Sequence, residues 1–169
     1  MTSHLESKRL LLMGSSAYKA VELPPEVIAR IDAAIGTYTT IIVAEAHGAC
    51  RRFQDYLASK GYRNVIVGHA KSIRYNAGNW PTFQYGQNLK ERERNMILDC
   101  DSAIIIWQDE SSVIAGNLEL LKKLRKPTFL YEVSSVDGSM KAGELDPTRA
   151  YRTFYPWREY HHKRRQDDT

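Results

Sequence analysis

The chain has 169 residues, of which 43% are hydrophobic and 26% are charged, and its net charge at pH 7 is +4. This composition is typical of one globular domain that is large enough to bury a core. No apolar run is long enough to span a membrane, and two cysteines are too few for a disulfide scaffold or a zinc site. The polar residues 1–8 lack the apolar stretch of a secretory signal. We therefore expect a cytoplasmic protein without a bound metal or cofactor.

Short apolar segments alternate with amphipathic segments along the chain. The apolar segments predict five strands, at residues 9–13, 39–43, 65–67, 103–107 and 128–133. Apolar residues at helical spacing predict four helices, at residues 24–36, 49–60, 89–99 and 112–126. Either Ser111 or Ser112 is suited to cap the last of them. This alternation favours an α/β protein with three layers and a parallel sheet.

Two parts of the chain do not follow the alternation. Residues 69–88 contain closely spaced aromatic side chains and no clear period, which predicts a long ordered loop laid over the edge of the sheet. Residues 136–169 are polar at first and then rich in arginine and aromatic side chains. We therefore expect a main domain at residues 1–135 and a C-terminal extension at 136–169 that packs on it or is partly flexible.

Polar side chains follow several predicted strands, at the edge of the sheet where the carboxyl ends of parallel strands meet. Proteins of this class bind ligands at that edge. The residues after the first strand are Gly14, Ser15 and Ser16, which either hold a phosphate group or form a simple turn. Glu45 and His47 follow the second strand and are candidates for an acid–base pair, with a solvent-facing histidine as the commoner alternative.

Two further loops offer groups that suit a nucleotide. Residues 74–80 contain asparagine amides and aromatic rings, which either contact a base and a ribose or hold the loop itself in place. Asp109 and Glu110 precede the last helix, where carboxylates satisfy the helix dipole and repel an anion. They are therefore either a charged cap or ligands for ribose hydroxyls or a cation.

Four segments are similar to those of one known family. Ala44-Glu-Ala-His-Gly-Ala-Cys-Arg51 corresponds to a Gly-Asp-Ala-x-Gly-Ala-Asp-Lys segment, and Arg74-Tyr-Asn-Ala-Gly-Asn-Trp80 corresponds to an Arg-Asn-Asn-x-Gly-Asn-Trp loop. Arg92, Glu93 and Met96 match a Lys-Asp pair with a following methionine, and residues 100–107 match an Ala-Asp-x-x-x-x-Ile-Trp strand. In these segments residues 39–133 resemble the SLOG superfamily, close to an uncharacterised bacterial and phage branch of it.

The resemblance implies a Rossmann-like three-layer sandwich with a mainly parallel sheet of five strands. It also implies a nucleotide-derived ligand at the strand ends and a homodimer that forms through helices. The resemblance and the strand-end pattern together assign ligand contacts to these positions: Gly14, Ser15, Ser16, Glu45, His47, Gly48, Arg74, Asn76, Asn79, Trp80, Arg92, Ser111, Ser112 and Asn117.

The chain departs from the family where the family's enzymes carry catalytic residues. Val113 and Ile114 stand in place of a Gly-Thr turn, and Asn117 stands where the hydrolases and transferases have a catalytic glutamate. An asparagine cannot act as a carboxylate nucleophile or general base. The departures favour binding of a nucleotide or nucleotide-derived molecule, for sensing or sequestration. The alternative is an N-glycosidic hydrolase or transferase, with Glu45 or Asp109 as the catalytic carboxylate.

The C-terminal extension supplies a third hypothesis. Its aromatic side chains interleave with arginines, as contact with single-stranded nucleic acid requires; they are Tyr151, Phe154, Tyr155, Trp157 and Tyr160. Aromatic side chains at this density seldom stay exposed. We therefore expect them to pack on the main domain, and we expect neither a nucleic-acid partner nor a membrane partner.

Overall fold

A computed structural model describes residues 8–151 of the chain. The strands are β1 (Arg9–Gly14), β2 (Thr40–Ala44), β3 (Val65–His69), β4 (Thr82–Gln84), β5 (Ser102–Gln108), β6 (Thr128–Val133) and β7 (Met140–Glu144). The helices are α1 (Pro25–Gly36), α2 (Ala49–Ser59), α3 (Leu89–Asp99) and α4 (Ser112–Lys123). None of these helices is both long and apolar enough to cross a membrane.

The strands form one sheet in the order β4-β3-β2-β1-β5-β6-β7. Strands β1 to β6 are parallel, and β7 runs antiparallel to β6. At the centre, Leu11 of β1 lies opposite Ile42 of β2 on one side and Ala103 of β5 on the other. The central strands are buried on both faces, which explains why they read as continuous apolar runs.

Helices α1 and α2 cover one face of the sheet, and α3 and α4 cover the other. On the first face, the Tyr56 hydroxyl of α2 donates a hydrogen bond to Asp32 of α1. On the second face, the Asn117 amide of α4 reaches Glu93 of α3. Right-handed crossovers produce this division, because the chain first moves outward from β1 to β4 and later moves the opposite way from β5 to β6. All four helices begin at the carboxyl edge of the sheet.

The predicted α/β architecture with a mainly parallel sheet is confirmed, and it is consistent with a Rossmann-like fold. The prediction of five strands is wrong, because residues 8–151 form a sheet of seven. The two additional strands, β4 and β7, lie at the edges, and all their residues are exposed. Edge strands without a buried face lack the apolar pattern that identifies a strand in a sequence. Strand β4 lies inside the segment that was predicted to be loop throughout.

The chain after β7 folds back onto α4. Tyr151 is buried against Trp107, with their ring centroids 5.8 Å apart. The Tyr151 backbone N–H donates a hydrogen bond to Glu119 of α4 at 2.6 Å, and the Tyr151 hydroxyl accepts one from the Asp146 N–H at 2.8 Å. The rest of the predicted extension, with Phe154, Tyr155, Trp157 and Tyr160, lies outside the described residues.

Candidate functional site

Ser15 joins the starts of two helices at the carboxyl edge of the sheet. Its carbonyl oxygen accepts a hydrogen bond from the Ala49 N–H, the first of α2, at 3.2 Å. Its hydroxyl lies 2.8 Å from the Ser111 hydroxyl, directly before α4, and accepts a hydrogen bond from the Gln108 N–H at 2.9 Å. Ser15 itself is 2% exposed. The turn after β1 therefore fixes the positions of both helix N-termini.

Glycine is required where these segments meet. Gly48 has a φ of +72°, and a Cβ there would lie 2.3 Å from the Ser16 carbonyl oxygen and 2.6 Å from that of Ser15. A Cβ at Gly14 would lie 2.5 Å from the Ala49 Cβ. These contacts explain both glycines by packing and conformation. They also leave the backbone of the junction without covering side chains.

Helices α2 and α4 differ from the other two helices at their N-termini. Helix α1 has Glu26 in its first turn, and α3 has both Glu91 and an Asn88 side chain that accepts a hydrogen bond from the Glu91 N–H. Among the described residues, α2 and α4 have neither an acidic residue in the first turn nor a side-chain cap. Ser111 occupies the capping position of α4, as predicted, but its hydroxyl contacts Ser15 instead. Two helix N-termini without an acidic first turn or a side-chain cap among the described residues therefore meet at Ser15, an arrangement that favours an anion.

Arg51 and Arg52 occupy the first turn of α2, where a cation opposes the helix dipole. The Arg51 guanidinium stacks on the Tyr75 ring, 4.1 Å from its centroid. The Arg52 Nε donates a hydrogen bond to the Ala20 carbonyl at 2.9 Å. Both arginines add positive potential at the N-terminus of α2.

Glu45 is the most completely bonded carboxylate of the site. It is 2% exposed and accepts hydrogen bonds from Arg74 Nε at 2.6 Å, Arg74 Nη2 at 3.1 Å and Arg92 Nη1 at 2.5 Å. Burial acts to raise the pKa of Glu45, but the hydrogen bonds and positive charges of the two arginines outweigh it and hold that pKa below its usual value. Glu45 is therefore an ionised anchor for two cations.

Glu93 lies beside this cluster with few partners of its own. Its side chain is 14% exposed. The Asn117 amide reaches Oε1 only at 3.5 Å, and within the described part of the chain Oε2 accepts no hydrogen bond. Arg92 Nη2 lies 3.5 Å from Oε2. Burial raises the pKa of Glu93 above its usual value, and the negative charge of Glu45 adds to that effect.

Cys50 lies in the first turn of α2, close to Glu93. Burial raises the pKa of its thiol to about 12, and the charge of Glu93 contributes in the same direction. The thiolate is the reactive form of a cysteine. Cys50 is therefore an inert packing residue of the site at neutral pH.

Several predicted residues lie at the carboxyl edge without a role in these contacts. Ser16, His47 and Ser112 are exposed beside the junction. Asn117 is partly buried and contacts Met13 Sδ at 3.1 Å as well as Glu93. These side chains are available to a ligand that enters the junction from solvent.

The loop of residues 74–80 divides between the site and the far edge of the sheet. Arg74 reaches Glu45, as described. Asn76 and Trp80 instead bond to each other through side chain and backbone, and the Trp80 indole donates a hydrogen bond to the Tyr62 carbonyl at 2.8 Å. Tyr62 precedes β3 and Trp80 precedes β4, so Asn79 and Trp80 lie toward the amino edge. The structure does not bring them to the junction.

Asp109 and Glu110 face a different part of the edge. Both have positive φ angles, of 53° and 49°. The Asp109 carboxylate accepts hydrogen bonds from the Ser135 N–H at 2.8 Å and the Ser135 hydroxyl at 2.6 Å, and these bonds lower its pKa. Asp109 and Glu110 border an acidic cavity of about 390 Å³ beyond β5 and β6. Its lining also includes Trp107, Glu132 and Lys141. Asp109 thus stabilises the turn between β6 and β7.

Sequence analysis missed Glu93 as a site residue. Residues 90–94 are all charged, a pattern that is typical of a solvated helix face. Arg92 is nevertheless 4% exposed. The sequence does contain a signal for this burial. Arg92 and Glu93 stand four residues before Met96 and Ile97, which are buried, and residues four apart lie on the same face of a helix.

Comparison of the chain with family models, with curated proteins and with solved structures found no match. Within residues 8–151, no group of three or more histidine, cysteine, aspartate or glutamate side chains is arranged to hold a metal ion.

Proposed function

We propose that the protein binds a nucleotide or nucleotide-derived molecule at the carboxyl ends of β1, β2 and β5, for sensing or sequestration. One observation carries the proposal: the N-termini of α2 and α4 meet at Ser15, and neither has an acidic first turn or a side-chain cap among the described residues. Backbone N–H groups and hydroxyls in this arrangement suit a phosphate. The resemblance to SLOG proteins supports a nucleotide as the molecule that carries it.

The experiment is equilibrium dialysis against a mixed pool of nucleosides, nucleotides, NAD and cyclic nucleotides, with mass spectrometry of retained and free compounds. Two variants at Ser111 separate charge from capping. S111D introduces a carboxylate that caps α4 and repels a phosphate, so we expect a loss of affinity of more than about tenfold. S111N caps the helix equally well without a charge. We therefore expect S111N to bind the ligand as tightly as the unaltered protein does.

Thermal melting of both variants controls for folding, because each caps α4 and should not lower the melting temperature. Equal affinity of S111D and the unaltered protein for a phosphate-bearing ligand would place the phosphate elsewhere. Retention of no compound at all would remove the proposal.

A second candidate function is cleavage or transfer at an N-glycosidic bond, and the state of Glu93 favours it. A partly buried carboxyl group with a raised pKa and an oxygen without a hydrogen-bond partner among residues 8–151 is suited to donate a proton to a leaving base. Glu45 is committed to two arginines, and Asp109 to Ser135. Glu93 therefore replaces them as the proposed acid, with Asn117 beside it.

The same dialysis experiment tests this candidate, because free base in the protein-containing samples, beyond a protein-free control, reports cleavage. We expect E93Q to abolish base release and E144Q, at an exposed glutamate remote from the junction, to retain it. Retained, unchanged ligand with every variant would leave binding as the function.

A further inference from the structure

The two glutamates and two arginines of the site are paired unequally. Glu45 receives both cations, with Arg74 Nε at 2.6 Å and Arg92 Nη1 at 2.5 Å. Glu93 receives neither within hydrogen-bonding geometry in the described structure, since Arg92 Nη2 stays 3.5 Å from its Oε2. Equal numbers of opposite charges are therefore present, but Glu45 has the closer contact with both cations, and Glu93 has only the longer ion pair to Arg92.

We propose that Glu45 is a positioning residue that holds Arg92 closer to itself than to Glu93 and so favours the neutral form of the Glu93 carboxyl group. The use of that proton in catalysis rests on the second proposed function above. The unequal pairing itself does not depend on it. Glu45 then acts on Glu93 in two ways, through the position of Arg92 and through its own negative charge.

The geometry makes this competition one-sided. Arg74 fixes Glu45 by three bonds, because its backbone N–H also donates to Oε2, at 3.3 Å. Glu45 is thereby held with Oε1 turned to Arg92. The Arg92 side chain is 5% exposed, and its Nε has no hydrogen-bond partner among the described residues. Moving the guanidinium toward Glu93 would break the shorter ion pair and leave the buried Glu45 with one cation.

The groups that act on Glu93 come from each element around it. Arg92 lies on α3, the same helix as Glu93. Glu45 follows β2, and Cys50 belongs to α2. Asn117 on α4 is polar but does not titrate. Arg74 acts only through Glu45. Glu45 is the anion of this set, because the Cys50 thiol is neutral. Removal of its charge therefore has one direction of effect on Glu93, since it both frees Arg92 and removes a repulsion.

The test is a pH titration of the ligand-free protein with ¹³C-labelled glutamate, followed by NMR of the side-chain carboxyl groups. The E93Q and E45Q variants assign the two resonances. In the unaltered protein we expect Glu45 to titrate below and Glu93 above the ordinary glutamate midpoint of about 4.3. In E45Q we expect the Glu93 midpoint to fall toward or below that value. E45D retains the charge, and Glu93 should then keep its raised midpoint.

Two results would overturn the proposal. One is a Glu93 midpoint at or below the ordinary value of about 4.3 in the unaltered protein, a readout for which E93Q alone assigns the Glu93 resonance and E45Q need not fold. The other is a folded E45Q protein in which the Glu93 midpoint does not move. Neither readout involves a ligand, so failure of the proposed binding or cleavage would leave this titration unchanged, and the two failures are distinguishable.

Discussion

Glu45 and Glu93 show how the same side chain acquires opposite properties a few ångströms apart. Both are largely removed from solvent. Glu45 has two arginine partners, and they lower its pKa in spite of burial. Glu93 has a distant amide and an incomplete ion pair, so burial prevails and raises its pKa. Partners, more than depth, decide which form each carboxyl group takes in the folded protein.

This contrast predicts a pH-dependent gain in stability for E93Q. Because the pKa of Glu93 is higher in the folded than in the unfolded chain, the stability that this group contributes is present at low pH and is lost as the pH rises through its folded-state pKa. We expect E93Q to match the unaltered protein at about pH 4 and to exceed it by about 1–3 kcal/mol at neutral pH.

Urea unfolding at several pH values measures the difference between the two proteins. The contributions of groups remote from Glu93 are common to both proteins and cancel. A difference that stays constant between acidic and neutral pH would show that folding does not shift the pKa of Glu93.

At the scale of elements, the site is made by helix starts and not by helix faces. Helices α2 and α4 lie on opposite faces of the sheet, and they approach each other only where the turn after β1 passes between them at Ser15. Gly48 makes the approach of α2 possible, because Ser15 and Ser16 carbonyl oxygens occupy the space of a side chain there. Helix α2 therefore begins directly after Gly48, because only a residue without a side chain fits against these carbonyl oxygens.

We predict that G48A lowers the free energy of unfolding by about 2 kcal/mol or more, since alanine resists a φ of +72° and its Cβ collides with backbone oxygens. The matched control is G36A at the end of α1, where a Cβ would meet no described atom within 4 Å. We expect G36A to change stability by less than about 1 kcal/mol. Chemical denaturation compares them, and equal losses would contradict the packing account.

The buried elements were predictable from the sequence, and the exposed ones were not. Helix α3 and strand β6 have the predicted bounds, and each buries two neighbouring apolar residues, Met96 and Ile97 in the helix and Phe129 and Leu130 in the strand. Strands β4 and β7 bury no residue, so no periodic signal marks them. Ser15 and Glu45 were found by their position after strands, and Arg74 by the resemblance of its loop to that of a known family. Glu93 was not, because only the packing of α3 against α4 turns a charged helix residue inward.

At the scale of the whole molecule, Tyr151 ties the last described segment to the centre. Its ring packs on Trp107 of β5, its N–H bonds to Glu119 of α4, and the Arg149 guanidinium lies 4.6 Å from its ring centroid. Arg149 in turn pairs with Glu132 of β6 at 2.7 Å. Three elements are therefore held by contacts from beyond β7.

We predict that Y151A destabilises the protein by about 3–5 kcal/mol, as loss of a buried aromatic ring does. Y151F keeps the ring and loses only the hydroxyl that accepts from the Asp146 N–H, so we expect a loss of about 1 kcal/mol. Thermal and urea unfolding give both values. Similar effects of the two substitutions would assign the role of Tyr151 to its hydroxyl and not to its ring.

The central place of β1 sets the order in which the molecule can be completed during synthesis. Strand β1 begins at residue 9 and pairs at once with β2, but its other neighbour, β5, begins only at residue 102. Until then, one edge of this central strand has no partner, and a chaperone or a second nascent chain can reach it. Glu93 and Ser111 emerge on either side of β5, so the proposed binding site is assembled in the same late step that closes this edge.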